Sequence, residues 1–200
     1  MLAPASSTTF QDYIEDVFLP FIKSQSSGNV RRVDVVWDTY KPNSLKAATR
    51  EKRGHGDKFV ISPSTKIPRK SWASFLRHED NKKQLKQLLR LLAHALENLH
   101  VEGVDFYSNV LEVVVTSSDV DISAISPSNH EEADTRLFLH VSDAAKKGHK
   151  NCLIRTSDSD VLVLAVALCE VIPGLEQLWV SIGTGQHHRL ISTNSIKRVR

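Results

Sequence analysis

The stretch NCLIRTSDSDVLVLAVALCEVIPG, residues 151–174, decides the fold class. It begins with a short apolar run at 151–155 that is typical of a buried β-strand. A polar turn at 156–160 then leads into an almost wholly apolar helix, which reaches about Val171 and stops at Pro173-Gly174. A strand followed at once by a helix predicts a crossover connection between parallel strands.

The same alternation continues on both sides of this stretch. The residue patterns predict strands at 33–37, 110–116 and 178–182, a short return strand through Ile122 and Ile125, and helices at 10–23, 74–99 and from near His130 to Gly148. Strands separated by helices predict an α/β fold. We expect three layers (α/β/α), with a mainly parallel sheet and helices on both faces.

Composition excludes several classes of protein. The chain has 200 residues, of which 40% are apolar and 24% charged, and this is typical of a soluble globular protein; we treat 1–200 as one domain. The longest apolar run, 161–169, is shorter than the roughly 20 residues that span a bilayer. The amino terminus lacks the pattern of a secretory signal. We therefore expect an intracellular protein, nuclear or cytoplasmic, without a membrane partner, in which Cys152 and Cys169 are reduced thiols.

Charge is unevenly placed along the chain. The net charge is +3, but residues 41–70 carry nine Lys or Arg against two acidic residues. That segment is +7 and the remainder is −4. A basic segment of this kind is either a solvated surface or a contact for phosphate groups, and the second holds only when the cations share one face.

Acidic side chains gather where the predicted strands end. In an α/β sheet the carboxyl ends of parallel strands meet at one edge, so we expect these side chains to converge. Each acidic pair alone is explained by helix capping and the helix dipole. Together, without matching cations, they would repel one another unless Mg²⁺ or Mn²⁺ neutralised them. The candidates are Asp38, Glu132, Asp134, Asp158 and Asp160.

Three motifs resemble successive motifs of the PIN-like and flap-endonuclease superfamily of metal-dependent nucleases. They are VVWDTYKP at 35–42 continuing to Lys52-Arg53, the Glu132-Ala133-Asp134 pair, and TSDSDVL at 156–162. The resemblance covers about residues 30–185 and implies a PIN-like fold with a Mg²⁺ or Mn²⁺ site. It implies that the catalytic residues, which are also the metal ligands, are Asp38, Glu132, Asp134, Asp158 and Asp160.

The resemblance also gives a role to the basic segment 41–70. A basic helix at 44–53 corresponds to the arch-like region that meets the nucleic-acid backbone in this superfamily. It implies that the contacts to DNA or RNA are Lys46, Arg50, Lys52 and Arg53. A looser similarity links the string HEEADTR at 130–136 to long animal proteins associated with mobile elements.

The sequence departs from the superfamily pattern at both ends. A first strand ending in Asp is expected before residue 30, yet the chain begins Met1-Leu2-Ala3-Pro4 and offers no such strand. A late acidic residue is expected after Trp179, and none follows it. We therefore expect a PIN-like domain that lacks its first strand and is truncated at both ends.

Three functions remain open from the sequence. The first is a Mg²⁺- or Mn²⁺-dependent, structure-selective nuclease, and the second is a non-catalytic nucleic-acid-binding or protein-interaction module with the same fold. The third is a phosphohydrolase acting on small phosphoesters, because the D-x-D at 158–160 would suit its metal as well. Trp37, Trp72 and Trp179 are more typical of core residues than of stacking platforms, and His187-His188 of a polar loop.

Overall fold

A computed structural model describes residues 1–39, 60–77, 82–183 and 185–197. The chain divides into two compact units, Met1–Ile122 and Ser123–Arg200. This division does not by itself decide how many domains the chain has, so one domain over 1–200 stays a prediction. Within the described ranges, no helix has both the length and the hydropathy needed to cross a membrane.

The first unit opens with a continuous helical segment. It consists of α1 (Phe10–Tyr13), a π-helical segment (Ile14–Phe18) and α2 (Leu19–Gln25), which confirms the helix expected at 10–23. Thr9 caps α1: its Oγ1 accepts a hydrogen bond from the Asp12 N–H at 3.1 Å, and the Asp12 carboxylate accepts from the Thr9 N–H at 2.9 Å. The hydrogen bond from the Thr8 hydroxyl to the Asp12 carboxylate, together with those from the Thr9 and Thr8 N–H groups, lowers the pKa of Asp12.

The first sheet contains β1 (Arg32–Val35), β2 (Asp105–Val110) and β3 (Val113–Thr116). β1 and β2 are parallel, whereas β2 and β3 are antiparallel. The strand expected at 110–116 is therefore wrong in its bounds, because the chain reverses at Leu111, whose φ of 57° is left-handed. The return strand expected through Ile122 and Ile125 is also wrong, since those residues lie outside any strand.

Two further helices complete the described part of the first unit. They are α3 (Trp72–Arg77) and α4 (Lys82–Glu97), and both fall within or beside the helix expected at 74–99. Leu88, Leu92 and Leu96 of α4 are fully buried at four-residue spacing, as the apolar stripe predicts. The core also contains aromatic rings, with Trp72 and Phe75 stacked at a centroid distance of 5.6 Å.

The described part of the second unit contains three α-helices and three strands. In chain order they are α5 (Ala133–Lys146), β4 (Asn151–Thr156), α6 (Ser159–Leu168), β5 (Gln177–Ile182), β6 (Arg189–Ser192) and α7 (Thr193–Lys197). β4 and β5 are parallel, and β6 joins β5 in the antiparallel direction. The strand–helix–strand unit expected from the stretch 151–174 is confirmed, whereas sequence reasoning missed β6.

The core of the second unit lies on one face of its sheet. Phe138, Val141 and Ala145 of α5 and Val161 and Ala165 of α6 pack with the side chains that β4 and β5 turn to that face. The strand residues in this core are Cys152, Ile154, Leu178, Val180 and Ile182. Because side chains alternate along a strand, the residues between them point to the opposite face.

The α/β class is confirmed, since helices and mixed sheets make up both units. Each sheet has one parallel and one antiparallel pair of strands. The finer expectation, a mainly parallel three-layer PIN-like fold without its first strand, stays a prediction. Of the basic segment 41–70, the stretch 41–59 lies outside the described residues.

Candidate functional site

Topology places four of the predicted acidic residues at one edge of the second sheet. α5 ends just before β4 begins, and α6 begins just after β4 ends and precedes the parallel strand β5. Both helices therefore run antiparallel to β4 and β5, so the amino termini of the helices lie at the carboxyl edge of the sheet. The residues at these two termini are Glu132, Asp134, Asp158 and Asp160.

At the start of α6, the two aspartates serve the helix. Asp158 is the N-cap residue, and its Oδ1 accepts a hydrogen bond from the Asp160 N–H at 2.9 Å. The Asp158 N–H in turn donates to Thr156 Oγ1 at 3.0 Å. Both carboxylates are exposed. Helix capping is sufficient to explain an aspartate at position 158 without a bound ligand. The capping hydrogen bond also occupies one of the two carboxylate oxygens of Asp158.

At the start of α5, the acidic residues are placed differently. Glu132 is the N-cap residue by its backbone, but its side chain makes no capping hydrogen bond, and Asp134 lies in the first turn. Both are half-buried. Next to them, His130 Nδ1 and Thr135 Oγ1 are 3.0 Å apart, and Thr135 also donates to the Glu132 carbonyl at 3.2 Å. This local network fixes the loop that leads into the helix.

The predicted metal site requires at least three of these acids to converge. Carboxylate oxygens suit Mg²⁺ and Mn²⁺ in kind. However, in the described part of the chain no three His, Cys, Asp or Glu side chains are placed to hold a metal ion. The structure thus brings the acids to one edge of the sheet but not into a coordination group, and in this arrangement they do not fit a bound metal.

Asp38 lies in the first unit, just beyond the carboxyl end of β1, and is exposed. It borders a cavity of about 220 Å³ whose other walls are mostly apolar. The lining residues are Met1, Trp37, Asp38, Leu76, Leu85 and Leu89. The sequence predicted Asp38 directly after a strand at 33–37, whereas β1 ends at Val35, and it gave no sign of the cavity beside Asp38.

A buried amide holds the chain in front of Asp38. Asn109 of β2 is 1% exposed, and its Oδ1 accepts a hydrogen bond from the Trp37 N–H at 2.7 Å. Its Nδ2 donates to the Trp37 carbonyl at 3.0 Å. The Trp37 ring also donates from Nε1 to Ser108 Oγ at 3.1 Å. The Asn109 side chain thus pairs with the backbone of Trp37, two residues beyond the end of β1, and fixes the backbone directly before Asp38.

The predicted nucleic-acid contacts Lys46, Arg50, Lys52 and Arg53 lie outside the described residues. Three other basic residues of the segment, Lys66, Arg69 and Lys70, lie in the described range 60–77. Arg69 donates from its guanidinium to the Ser6 carbonyl at 3.2 Å. The contact expected between this segment and phosphate stays a prediction.

Sequence reasoning missed a polar group on the second sheet. Ser181 of β5 is buried, and its Oγ lies 2.8 Å from Nε2 of His188. Arg155 of β4 is the register partner of Ser181, so its side chain leaves the same face of the sheet beside it. Gly183 permits the turn that returns His188, because its φ is +86° and a Cβ there would collide with the His187 carbonyl. No local motif signals this group, because strand register brings Arg155 beside Ser181 and the turn at Gly183 brings His188 back to Ser181.

Comparison with known proteins finds no family model, no curated protein and no solved structure that matches this chain.

Proposed function

We propose that this chain carries a PIN-like domain that is derived from a metal-dependent nuclease and acts by binding DNA or RNA. The observation that supports it most is the common position of four carboxylates at the carboxyl edge of the second sheet, where sites of α/β folds form. The basic segment 41–70, through Lys46, Arg50, Lys52 and Arg53, would contact the phosphate backbone. Two of the three motifs that resemble the superfamily, at 132–134 and 156–162, lie at this edge and favour this interpretation of it.

Binding is favoured over cleavage for a geometric reason. Phosphodiester hydrolysis by this class of site needs ions held by several carboxylates at once. Asp158 is engaged in capping α6, and among the described residues the acids do not form a group of three. A phosphate backbone, by contrast, is held mainly by cations, and its binding does not require the acids to meet.

A Mg²⁺- or Mn²⁺-dependent nuclease is the second candidate, and the shared edge of the four acids favours it. Such an enzyme would hold its ion with carboxylates, and its predicted ligands are Asp38, Glu132, Asp134, Asp158 and Asp160. Their donor chemistry is right for either ion. The two candidates therefore differ in one measurable respect: the nuclease cleaves a phosphodiester bond of its substrate, and the binding module does not.

The test uses the full chain with fluorescently labelled single-stranded and flapped oligonucleotides at low salt, with and without Mn²⁺. We expect binding that weakens about tenfold or more when Lys46, Arg50, Lys52 and Arg53 are all changed to Ala. The salt dependence of log K should flatten by about 3 if each cation neutralises one phosphate of a single strand. The matched control loses the same number of positive charges from exposed positions outside the segment. Its changes to Ala are at Lys23, Arg31, Arg90 and Lys146.

The outcomes separate the two candidates. If neither DNA nor RNA binds at low salt, the proposal is overturned. Cleavage that requires Mn²⁺ and is abolished by both Glu132→Gln and Asp158→Asn would establish the nuclease instead. Binding without cleavage, reduced far more by the segment variant than by its matched control, supports the binding module.

A further inference from the structure

One face of the second sheet is covered by no helix of the described ranges, and we call it the open face. Both α5 and α6 pack on the opposite face, through Ile154, Leu178 and Val180. The alternation of side chains and the strand register then define the open face. Its residues are Asn151, Leu153 and Arg155 of β4, Gln177, Trp179 and Ser181 of β5, and Leu190 and Ser192 of β6.

The centre of the open face is apolar and accessible. Leu153 is 49% exposed and Leu190 57% exposed, although both lie in strands. Trp179 is half-buried in the central strand, with Leu153 as its register partner on β4 and Ser192 on β6. Trp179 Nε1 donates to Gln177 Oε1 at 3.2 Å, which holds the indole along its own strand. An aromatic ring flanked by exposed apolar side chains offers a flat stacking platform.

The carboxyl end of the open face is cationic and polar. Arg155 is exposed, and no carboxylate in the described part of the chain forms an ion pair with it. Its neighbour Ser181 holds His188 at 2.8 Å, so a guanidinium, a hydroxyl and an imidazole stand side by side. No residue of the open face is Asp or Glu. The face therefore complements an anionic partner with a flat apolar part.

We propose that the open face binds single-stranded nucleic acid, with a base stacked on Trp179 and a phosphate held by Arg155 and His188. This rests on the proposed function for the class of ligand, but it uses a surface remote in sequence from the basic segment 41–70. The strand must be single because a base in a duplex is already stacked on both sides and does not offer its face to an indole. Leu153 and Leu190 border the stacked base, and the Ser181–His188 hydrogen bond orients the imidazole.

The experiment measures binding of an oligothymidylate of about 12 nucleotides, a length within the range that one such platform covers. Arg155→Ala should weaken binding several-fold and reduce the salt slope by about 0.7, the value for one lost phosphate contact. Arg189→Ala is the matched control, because Arg189 is also an exposed strand arginine but pairs with Ile182 and leaves the opposite face. The control should bind like the wild type.

Stacking has its own readout. Tryptophan fluorescence should be quenched when the oligonucleotide binds, and Trp179→Phe should remove that quenching while the protein remains folded. Trp37 and Trp72 stay in this variant as reporters of the fold in the first unit. Trp179→Ala should weaken binding by about tenfold or more, since stacking on an aromatic side chain contributes strongly for each base.

The result can separate this inference from the proposed function. If the wild type binds but Arg155→Ala and Arg189→Ala are indistinguishable, and quenching persists in Trp179→Phe, the open face is not the site while the proposed function stands. If binding survives the change of Lys46, Arg50, Lys52 and Arg53 to Ala and is lost in Arg155→Ala, the open face carries it and the role of the basic segment fails. If Leu153→Asp turns a dimer into a monomer, a second copy covers this face and the inference is overturned.

Discussion

The two units build the same strand arrangement around different buried side chains. In each, a parallel pair is extended by one antiparallel strand, in the orders β1-β2-β3 and β4-β5-β6. The first unit buries neutral polar groups such as Ser108 and Asn109 beside an aromatic and leucine-rich core. The second unit buries Arg136, His140 and Asp143. One strand arrangement therefore tolerates two very different interiors.

The buried polar and charged side chains of the second unit share one side of a helix. Arg136, His140 and Asp143 follow one another at four- and three-residue spacing on α5, whereas Phe138, Val141 and Ala145 face the sheet. Asp143 is paired with Lys147 at 2.9 Å. Charged groups removed from water are costly unless partners compensate them, so this face of α5 is sensitive to single changes in a way that an apolar core is not.

We expect the largest loss of stability from a substitution at Arg136, because its side chain is fully buried. Arg136→Ala should destabilise the second unit by about 3–5 kcal/mol, because it leaves the groups around the guanidinium buried without their partner. Hydrogen exchange followed by mass spectrometry would show faster exchange in β4 and β5. Peptides from β2 report on the first unit in the same experiment.

The control for this prediction is Arg155→Ala, which removes an exposed arginine from the same unit. It should change stability by about 0.5 kcal/mol or less, as surface changes usually do. Equal exchange of β4 and β5 in the two variants would contradict the account of α5, since it would mean that the buried arginine contributes no more than an exposed one.

A medium effect is expected in the first unit, from titration of a buried phenol. Burial raises the pKa of Tyr13 from 10.0 to about 12. The unfolded chain therefore loses this proton first, and the contribution of Tyr13 is complete below pH 10 and is lost as the pH rises to about 12. The free energy of unfolding should fall by about 2–3 kcal/mol across that window.

The measurement for Tyr13 is urea unfolding just below pH 10 and near pH 12, in the wild type and in Tyr13→Phe. Phenylalanine fills nearly the same space but has no proton to lose, so this variant should lack that part of the alkaline decline. Other groups that titrate in this range contribute equally to both proteins. An identical loss of stability in the wild type and in Tyr13→Phe would show that the phenol does not control it.

Sequence patterns predicted the elements whose apolar residues form a run or a regular helical stripe, and missed strands that carry polar residues inside. β4, α6 and β5 were predictable because apolar runs bounded by polar turns have few alternative structures. β2 was missed, since Ser108 and Asn109 lie inside it and such residues are uncommon in strands. The side-chain amide of Asn109 pairs with the backbone of Trp37 in place of a strand neighbour. Because Trp37 is far from Asn109 in sequence, no local pattern predicts this role.

For the candidate site, the sequence predicted which residues lie past the ends of strands, but not whether their side chains meet. The rule that acids past strand ends share an edge applies to Glu132, Asp134, Asp158 and Asp160. Whether they converge depends on side-chain direction, which spacing does not encode. Arg155 and Ser181 come from two neighbouring strands and His188 from the loop before β6, so their proximity depends on strand register and on the turn at Gly183.

The smallest expected effect concerns the helix caps, where the two units should behave alike. Thr9→Ala in the first unit and Asp158→Ala in the second each remove a side-chain oxygen that accepts a backbone N–H at a helix start. Each should lower the free energy of unfolding by about 1 kcal/mol. Thermal or urea unfolding of the single variants measures this loss, and hydrogen exchange assigns it to one unit.

Asp158→Asn distinguishes capping from the role of the charge. Asparagine caps about as well as aspartate, so this variant should stay within about 0.5 kcal/mol of the wild type in the absence of metal. It removes a negative charge close to Asp160, which relieves repulsion, but it also gives up the favourable interaction with the helix dipole. If Asp158→Asn instead lost as much stability as Asp158→Ala, the carboxylate charge and not the hydrogen bond would hold the start of α6, and the acid would be structural. If it gained stability by more than about 1 kcal/mol, the acids at this edge would repel strongly without metal, and that strain would favour the nuclease candidate, in which a cation relieves it.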